Sequence, residues 1–333
     1  MSYNTHMSDC LKLMQFNLEN FFLYLDNCKS HDLEGMNETH WQDLTHSAEK
    51  LKPLKKAQEI AELILRLVPD IVLCCEMGGL ESAENFCKLF LKSKYEAHLI
   101  EGNSNRGIDV GYLIRKDLKL KTLLISHKDR PINFLYEHEK NSEKKTHYFS
   151  RDVAELRIFG NDGQSLKLVL LGVHLKSKLD LDGVDPFGKS RRAAEFKTLL
   201  EIYSEVVSES TGKVPIVIGG DFNGIASSLN TETEFKSLYD QTQLIDVLEI
   251  SSVEPEQRVT QVTFDSLGKA KPIQIDYFFI DQKFKNLVVT EQTKVFRFEE
   301  VPGIEKPLPL NIDQRAKMPS DHYPVLLGLK ITF

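Results

Sequence analysis

The sequence predicts an α/β protein in which two β-sheets pack together and helices cover their outer faces. Short apolar runs typical of strands alternate with segments whose apolar residues recur at helical spacing. Turn-rich segments such as residues 161–163 fit hairpin connections between strands. Strands and helices that mix in this way pack as sheets with flanking helices. No repeat and no low-complexity linker divides the chain, so we expect one domain over residues 1–333, with its core at about 11–331.

The predicted elements follow one another along the chain. Residues 11–18 alternate apolar and polar side chains, which is typical of a strand, and residues 71–75 form the wholly apolar run of a strand covered on both faces. Between them, residues 54–67 have helical spacing, and Pro69 follows the end of that helix. The other predicted strands are residues 110–114, 153–158, 166–174, 215–218, 275–280 and 325–331. Two more helices are predicted over residues 82–93 and 191–207.

The composition and charge exclude several classes of protein. The chain has 333 residues, of which 42 are Lys or Arg and 49 are Asp or Glu, so the formal net charge is −7. Hydrophobic residues make up 41% and charged residues 27%, which excludes a disordered, collagen-like or coiled-coil chain. The acidic balance argues against indiscriminate binding of polyanions, since phosphate contacts need clustered Lys and Arg.

We expect a cytoplasmic protein with no membrane partner and no stable protein partner. No apolar run approaches the roughly 20 residues that a bilayer span needs. The first residues lack a basic stretch followed by an apolar one, so no cleaved secretory signal is expected. The five cysteines are too few for a disulfide framework and match no zinc spacing, so we expect them to be reduced.

Polar side chains recur at or just beyond the ends of the predicted strands. The set is Asn17, Glu76, His174, Asp221, Asn223, Asp276, Asp321 and His322. Each residue alone fits a turn or a surface position, but strand ends that meet at one edge of a sandwich bring distant residues into one cleft. Carboxylate and amide oxygens suit Mg²⁺, Mn²⁺ or Ca²⁺, whereas zinc would favour more His and Cys. The pattern therefore predicts a divalent-metal site.

Seven segments of the chain carry a resemblance to a known family. They are residues 15–22 (QFNLENFF), 69–76 (PDIVLCCE), 149–152 (FSRD), 173–178 (VHLKSK), 219–223 (GGDFN), 274–279 (QIDYFF) and 320–325 (SDHYPV). In this order they resemble the motifs of the endonuclease/exonuclease/phosphatase superfamily, and the first resembles that of bacterial-type members. The superfamily includes deoxyribonuclease I, the AP endonucleases, the inositol polyphosphate 5-phosphatases and the neutral sphingomyelinases. The resemblance implies a deoxyribonuclease I-like, four-layer α/β sandwich of two packed mixed β-sheets flanked by helices.

The resemblance also implies a Mg²⁺ or Mn²⁺ cofactor and assigns its ligands. Glu76 matches the carboxylate that binds the divalent ion, and Asp321 matches an acidic residue beside it. Glu19 is expected to touch the ion directly or through water. A bound cation polarises P–O bonds and neutralises charge that develops in the transition state.

The remaining motif residues are expected to be catalytic. By resemblance, Asp221 positions or deprotonates the attacking water, and Asp276 orients His322 by accepting its ring N–H. Asn17 and Asn223 are expected to contact or orient phosphoryl oxygens. Whether Asp221 or His322 is the general base stays open. His174 is expected to stabilise or protonate the leaving oxygen. AP endonucleases have a tyrosine in this region, so the histidine argues against an abasic-site enzyme.

Three basic residues are predicted to bind substrate phosphate. Arg151 resembles a phosphate-contacting position of deoxyribonuclease I, and the alternative is a surface arginine at a strand start. Lys176 belongs to a basic cluster that flanks the loop of residues 179–188, which either contacts flanking phosphates or is a solvated loop of mixed charge. Within that cluster, we expect Arg192 to reach the site and Arg191 to be exposed.

Two features separate this chain from its relatives. Gln274 stands where many members have an arginine, and residues 23–50 and 296–318 resemble insertions. Nearby aromatic residues are suited either to base stacking or to core packing. These aromatic residues are Phe134, Tyr136, Tyr148 and Phe149.

The sequence favours a nuclease that hydrolyses phosphodiester bonds of DNA, RNA or both by in-line attack of an activated water. The alternative is a phosphomonoesterase or small-molecule phosphodiesterase that acts on sugar or inositol phosphates. A third hypothesis is a binding protein with an inactive site. A continuous basic groove would favour nucleic acid, and a closed pocket sized for one ligand would favour a small phosphate ester.

Overall fold

A computed structural model describes residues 10–25, 28–29, 33–140, 145–180 and 183–333 of the chain. The strands in this part of the chain are β1 (Leu11–Phe21), β2 (Ile71–Met77), β3 (Tyr95–Leu99), β4 (Asp109–Arg115), β5 (Lys121–Ser126), β6 (Pro131–Ile132), β7 (His147–Tyr148), β8 (Val153–Phe159), β9 (Leu166–His174), β10 (Ile216–Asp221), β11 (Leu244–Asp246), β12 (Gln261–Phe264), β13 (Ala270–Ile273), β14 (Asp276–Asp281), β15 (Val288–Val295), β16 (Glu299–Val301), β17 (Ile304–Glu305) and β18 (Val325–Leu329). The α-helices are α1 (Glu38–Gln42), α2 (Leu54–Leu67), α3 (Gly79–Leu89), α4 (Lys189–Glu209), α5 (Lys236–Gln241), α6 (Val247–Ile250) and α7 (Ile312–Ala316).

Two six-stranded mixed sheets form the centre of the described structure. The first has the strand order β15-β18-β1-β2-β4-β3, and the second has the order β11-β14-β10-β9-β8-β5. Apolar side chains of β1, β2 and β4 meet those of β9, β10 and β14 between the sheets. α2 and α3 cover the outer face of the first sheet, and α4 and α5 cover that of the second. The predicted four-layer α/β sandwich is confirmed.

Each sheet contains one pair of parallel strands, and these pairs position the polar strand ends. β1 runs parallel to β2, and β9 runs parallel to β10. In the second sheet, Asp221 is paired with His174 on one side and with Asp276 on the other. In the first sheet, Asn17 is paired with Cys75, the residue before Glu76. The carboxyl ends of both pairs therefore supply candidate site residues.

Gly220 allows β10 to lie directly against the backbone of β9. Its φ of +139° is accessible to glycine and strained for other residues, and an added Cβ would lie 1.9 Å from the carbonyl oxygen of Val173. Any side chain here would push β10 away from β9. The glycine thus keeps Asp221 beside His174.

Most predicted elements are observed, with shifts at their ends. The helix predicted over residues 82–93 is α3, which ends at Leu89, and Lys92 and Ser93 adopt positive φ values that are incompatible with a helix. The strand predicted over residues 215–218 is β10, which extends to Asp221 because its ladder with β14 continues that far. No helix in the described ranges has the length and apolarity that a membrane crossing requires.

A buried segment links the first predicted insertion to the end of β1. Trp41, in α1, is fully buried and donates its indole N–H to the carbonyl oxygen of Lys52 at 2.8 Å. Lys52 is 2% exposed, and its ammonium group donates to the carbonyl oxygens of Leu18 and Glu19, both at 2.8 Å. These bonds hold the end of β1, where Glu19 and Asn20 have positive φ values.

Asp246, at the end of β11, is fully buried and gives a testable pH effect. Its carboxylate accepts hydrogen bonds from the N–H of Leu248 at 3.0 Å and from Gln274 Nε2 at 2.7 Å. Burial raises its pKa from an ordinary 3.8 to about 7. Between these pH values the folded state binds more protons at Asp246 than the unfolded state, so the contribution of this group to stability falls as pH rises.

We therefore expect Asp246→Asn to gain stability relative to the native protein as pH rises from 5 to 7. The Asn oxygen can still accept from Leu248, and the Gln274 amide can turn to present its oxygen to the new amide. Urea unfolding at several pH values measures the difference. Asp129→Asn, at an exposed position, should show no such trend. A difference between Asp246→Asn and the native protein that stays constant with pH would contradict the assignment.

Candidate active site

The structure brings the predicted polar strand ends together at one edge of the two sheets. Asp221 is at the centre of this cluster and is 1% exposed. Its Oδ2 accepts a hydrogen bond from Asn17 Nδ2 at 3.0 Å, and its Oδ1 accepts one from the backbone N–H of Asn223 at 2.7 Å. His174 Nε2 lies 3.6 Å from Asp221 Oδ2, and His322 Nε2 lies 3.9 Å from it. Residues from both sheets therefore surround one buried carboxylate.

His322 and Asp276 form a buried pair beside Asp221. His322 Nδ1 lies 2.7 Å from Asp276 Oδ2, and Asp276 Oδ1 accepts a hydrogen bond from Gln15 Nε2 at 2.8 Å. Burial lowers the pKa of His322, but Asp276, Asp321 and Asp221 outweigh burial and raise it well above its ordinary value. The pair thus orients the imidazole and favours its protonated form.

Burial and negative charge at the centre of the cluster raise the pKa of Asp221. Burial and the neighbouring Asp276 carboxylate raise the pKa of Asp221 to about 7. The His322 charge and the hydrogen bonds from Asn223 and Asn17 act in the opposite direction. A carboxyl group whose pKa is near neutrality is suited to proton transfer at neutral pH.

The surroundings of His174 favour its neutral form and leave one ring nitrogen without a partner in the described ranges. Burial, Arg151 and His322 lower its pKa well below the ordinary value. Its Nε2 lies 3.9 Å from Glu76 Oε1, and its Nδ1 is buried without a hydrogen-bond partner in the described ranges. An imidazole in this state is suited to hydrogen bonding with a substrate oxygen.

The donor set fits a hard divalent cation. Ligand atoms of Asp221, Asp276 and His322 lie within 4.8 Å of one another, and because the protonated form of His322 is favoured, the carboxylates of this edge are the better ion ligands. Glu76 Oε2 accepts from the Asn20 N–H at 2.8 Å, and within the described residues no hydrogen bond involves Glu76 Oε1. Asp321 is 21% exposed, and its Oδ1 lies 3.9 Å from His322 Nε2. A cation at this edge would offset the charge of Asp276, which together with burial raises the pKa of Asp221.

Glu19 is less suited to binding an ion than its position in the sequence indicates. Its Oε2 lies 2.9 Å from Lys52 Nζ and 2.8 Å from Lys56 Nζ. Burial raises its pKa, but these two ammonium groups outweigh burial and lower the pKa. Because two lysines already neutralise Glu19, the structure favours Glu76 over Glu19 as an ion ligand.

Arg151 and Lys176 lie side by side next to the cluster. Arg151 is 6% exposed, its Nε has no hydrogen-bond partner among the described residues, and its Nη1 contacts Ser150 Oγ and the Leu175 oxygen only at 3.4 Å. Lys176 Nζ donates to the carbonyl oxygens of Ser177 and Leu179. Both residues line a cavity of about 480 Å³.

Arg192 does not line this cavity, which corrects the prediction that it reaches the site. It is 1% exposed, and its guanidinium donates to Glu234 Oε1 at 2.6 Å and to the carbonyl oxygens of Lys176 and Phe187, both at 3.0 Å. Successive helical residues point about 100° apart, so only one of two neighbouring arginines can face the cavity. That residue is Arg191, which was expected to be merely exposed.

Several supporting residues have no predicted role. Gln261 Nε2 lies 2.8 Å from His322 Nε2, and the Ser320 hydroxyl donates to the backbone carbonyl oxygen of Asn17 and accepts from the backbone N–H of His322. The buried Glu195 carboxylate accepts from the N–H groups of Ser150 and Lys176. Only Ser320 lies in one of the recognised motifs, whereas Gln261 and Glu195 reach the site through tertiary structure alone.

The structure also describes the aromatic residues near Arg151 and part of the loop of residues 179–188. Phe149 is 2% exposed and packs in the core beside α4, while Tyr136 and Tyr148 also line the cavity. In the loop of residues 179–188, for which phosphate contact and a solvated loop of mixed charge were the alternatives, Asp180 and Asp185 are described, and residues 181–182 lie outside the described ranges.

Comparison with solved structures decides the fold. A D. rerio TDP2 structure complexed with single-strand DNA product is 14% identical, covers 96% of this chain and 98% of its own, and gives a TM-score of 0.54. A Bacteroides thetaiotaomicron structure described as an endonuclease/exonuclease/phosphatase family protein is 16% identical, covers 97% of this chain and 95% of its own, and has a TM-score of 0.53. The chain has the endonuclease/exonuclease/phosphatase fold.

The same fold occurs in a B. thetaiotaomicron mannosyl-6-phosphatase, which is 16% identical, covers 97% of this chain and 100% of its own, and has a TM-score of 0.52. No family model and no curated protein matches the sequence. The endonuclease/exonuclease/phosphatase fold is thus shared by a structure with a DNA product and by a sugar phosphatase.

Proposed function

We propose that the chain is a divalent-metal-dependent phosphoric ester hydrolase, and that it cleaves phosphodiester bonds of DNA or RNA. The observation that carries the proposal is the buried cluster in which Asp221 accepts from Asn17 and lies beside His174 and the His322–Asp276 pair. Hydrolysis of a phosphate ester needs a proton acceptor for water, hydrogen-bond donors for phosphoryl oxygens and a group beside the leaving oxygen. The cluster contains a residue suited to each task.

The residues divide the chemistry among them. Asp221, held in place by its hydrogen bonds from Asn17 and Asn223, holds the attacking water and accepts its proton. His322, kept in place and charged by Asp276, donates to a phosphoryl oxygen, and the Asn17 and Asn223 amides orient the same group. His174 contacts the leaving oxygen. A Mg²⁺ or Mn²⁺ ion held by Glu76 and Asp321 would polarise the phosphate.

A small phosphate ester is the second candidate substrate. The cavity beside the cluster measures about 480 Å³, which is within the usual range for sites that bind single small molecules. A mannosyl-6-phosphatase with the same fold agrees with this alternative. A phosphomonoester or a small phosphodiester would use the same catalytic residues.

Hydrolysis assays with purified protein test the proposal. Plasmid DNA, a labelled RNA oligomer and a generic phosphomonoester are incubated with Mg²⁺, Mn²⁺ or EDTA. We expect metal-dependent cleavage of a polymer that EDTA abolishes. Glu76→Gln should weaken metal binding, measured by calorimetry, and lower the rate.

Glu81→Gln is the matched control, because Glu81 is an exposed glutamate that pairs with His46 away from the cluster. Turnover of the monoester alone would move the protein to the second candidate. Equal rates with metal and with EDTA would contradict metal dependence.

A further inference from the structure

The cavity beside the cluster contains more positive charge than one scissile phosphate requires. Its lining includes four cationic side chains, those of Arg106, Arg151, Lys176 and Arg191. Of these, only Arg191 has a carboxylate partner in the described part of the chain, because its Nε donates to Glu195 Oε1 at 3.3 Å. Three cations without carboxylate partners around one cavity indicate a ligand with more than one negative charge.

Arg151 provides a second, independent indication of a ligand. The side chain is almost fully buried, yet its Nε is unpartnered and its other contacts are long. A buried guanidinium with no carboxylate in direct contact is costly, and an anion in the cavity would lower that cost. The charges of Glu195, Glu76 and Asp221 act on Arg151 from a distance, so it lies between the catalytic cluster and the cavity.

Lys176 is the cation best placed to contact a second anion. Its backbone is fixed on both sides, because its N–H donates to Glu195 and its carbonyl oxygen accepts from Arg192. Its ammonium donates to two carbonyl oxygens, which leaves one of its three donors available. Burial and the charge of Arg151 lower its pKa, as expected where positive charge accumulates.

The two acidic residues that line the cavity, Asp180 and Asp185, form no salt bridge with its cationic side chains in the described part of the chain. Both oxygens of Asp180 accept from backbone N–H groups, those of Val184 and Asp185. Asp185 likewise accepts from the N–H groups of Ser190 and Arg191. These carboxylates hold the loop against the start of α4.

We propose that this cavity binds a second phosphate of the substrate, one unit away from the scissile ester, and that Lys176 selects for it. The inference rests on the proposed function and narrows its substrate to a phosphate ester with a neighbouring phosphate. Tyr136 and Tyr148 form the aromatic wall of the cavity, which suits a ring between the two phosphates. The second phosphate belongs either to a nucleic acid strand or to a single bisphosphorylated unit.

Calorimetric titrations test the proposal with two probes, thymidine 3′,5′-bisphosphate and thymidine 5′-monophosphate, in the presence of Mg²⁺. Recovered probes are checked for hydrolysis by chromatography. We expect the native protein to bind the bisphosphate about tenfold more tightly, as one charge-assisted contact would give. Lys176→Met should remove this preference.

Lys178→Met is the matched control, since Lys178 is exposed and its Nζ pairs with Glu232 at 2.7 Å. It should keep the preference for the bisphosphate. Equal affinity of the native protein for both probes, failure of the bisphosphate to bind, or equal effects of the two substitutions would each overturn the proposal.

Competition by short and long oligothymidylates distinguishes the two sources of the phosphate. Affinity that rises with length beyond two phosphates supports a strand in the cavity, and affinity that stays constant supports a single bisphosphorylated unit. The titrations need no turnover, so a Lys176-dependent preference would stand even if no polymer were cleaved. Cleavage of a polymer by a protein that shows no preference for the bisphosphate would support the proposed function and contradict this inference.

Discussion

Replacing Asp221 with Asn is expected to lower kcat by about 10²- to 10⁴-fold, the usual contribution of a general acid or base. The substitution removes the carboxylate that accepts hydrogen bonds from both Asn17 and Asn223. Because burial and Asp276 disfavour the Asp221 charge, the neutral side chain should not lower stability near pH 7. Steady-state kinetics and thermal unfolding measure the two effects on the same sample.

A loss of activity with unchanged stability separates a catalytic residue from a structural one. Asp240→Asn, at an exposed aspartate in α5, should leave both quantities unchanged. A kcat near that of the native protein would exclude Asp221 as the proton acceptor. A large drop in melting temperature would show that its hydrogen bonds serve the fold.

The largest loss of stability is expected for Arg192→Met. Arg192 and Glu234 form an ion pair whose side chains are 1% and 3% exposed. Removing the guanidinium leaves the Glu234 carboxylate buried without its counter-charge and breaks the bonds to the Lys176 and Phe187 oxygens. Breaking a buried pair in this way costs about 3–5 kcal/mol of unfolding free energy.

Urea unfolding measures this cost, and a double-mutant cycle identifies its origin. Arg192→Met combined with Glu234→Gln should be less destabilised than the sum of the single variants, because no unpaired charge remains. Lys178→Met breaks an exposed pair and should cost under about 1 kcal/mol. A similar small cost for Arg192→Met would contradict the importance of the buried pair.

The sequence was informative where function depends on residues close together in the chain. β1, β2, β9 and β10 follow from local apolar patterns, and their polar ends predict Asn17, Glu76, His174 and Asp221 at one edge. Parallel pairing in the centre of each sheet then brings these ends together without further information.

The environment of the site could not be predicted, because it depends on contacts between distant segments. The choice between Arg191 and Arg192 is made by Glu234, which lies 42 residues away from Arg192. Glu19 is neutralised by Lys52 and Lys56, 33 and 37 residues away. Local spacing contains no signal for such pairs, so the sequence does not predict which of these side chains face the substrate or the metal.

The buried hydrogen bonds from Trp41 through Lys52 to the end of β1 make tryptophan fluorescence a probe of this part of the site. Trp41 is the only tryptophan in the chain, so its emission has a single origin. Its indole N–H donates to the carbonyl oxygen of Lys52, and the Lys52 ammonium donates to the carbonyl oxygen of Glu19. The next residue, Asn20, donates its backbone N–H to the Glu76 carboxylate. Intrinsic emission can therefore follow events at the Glu76 edge of the site in the unlabelled protein.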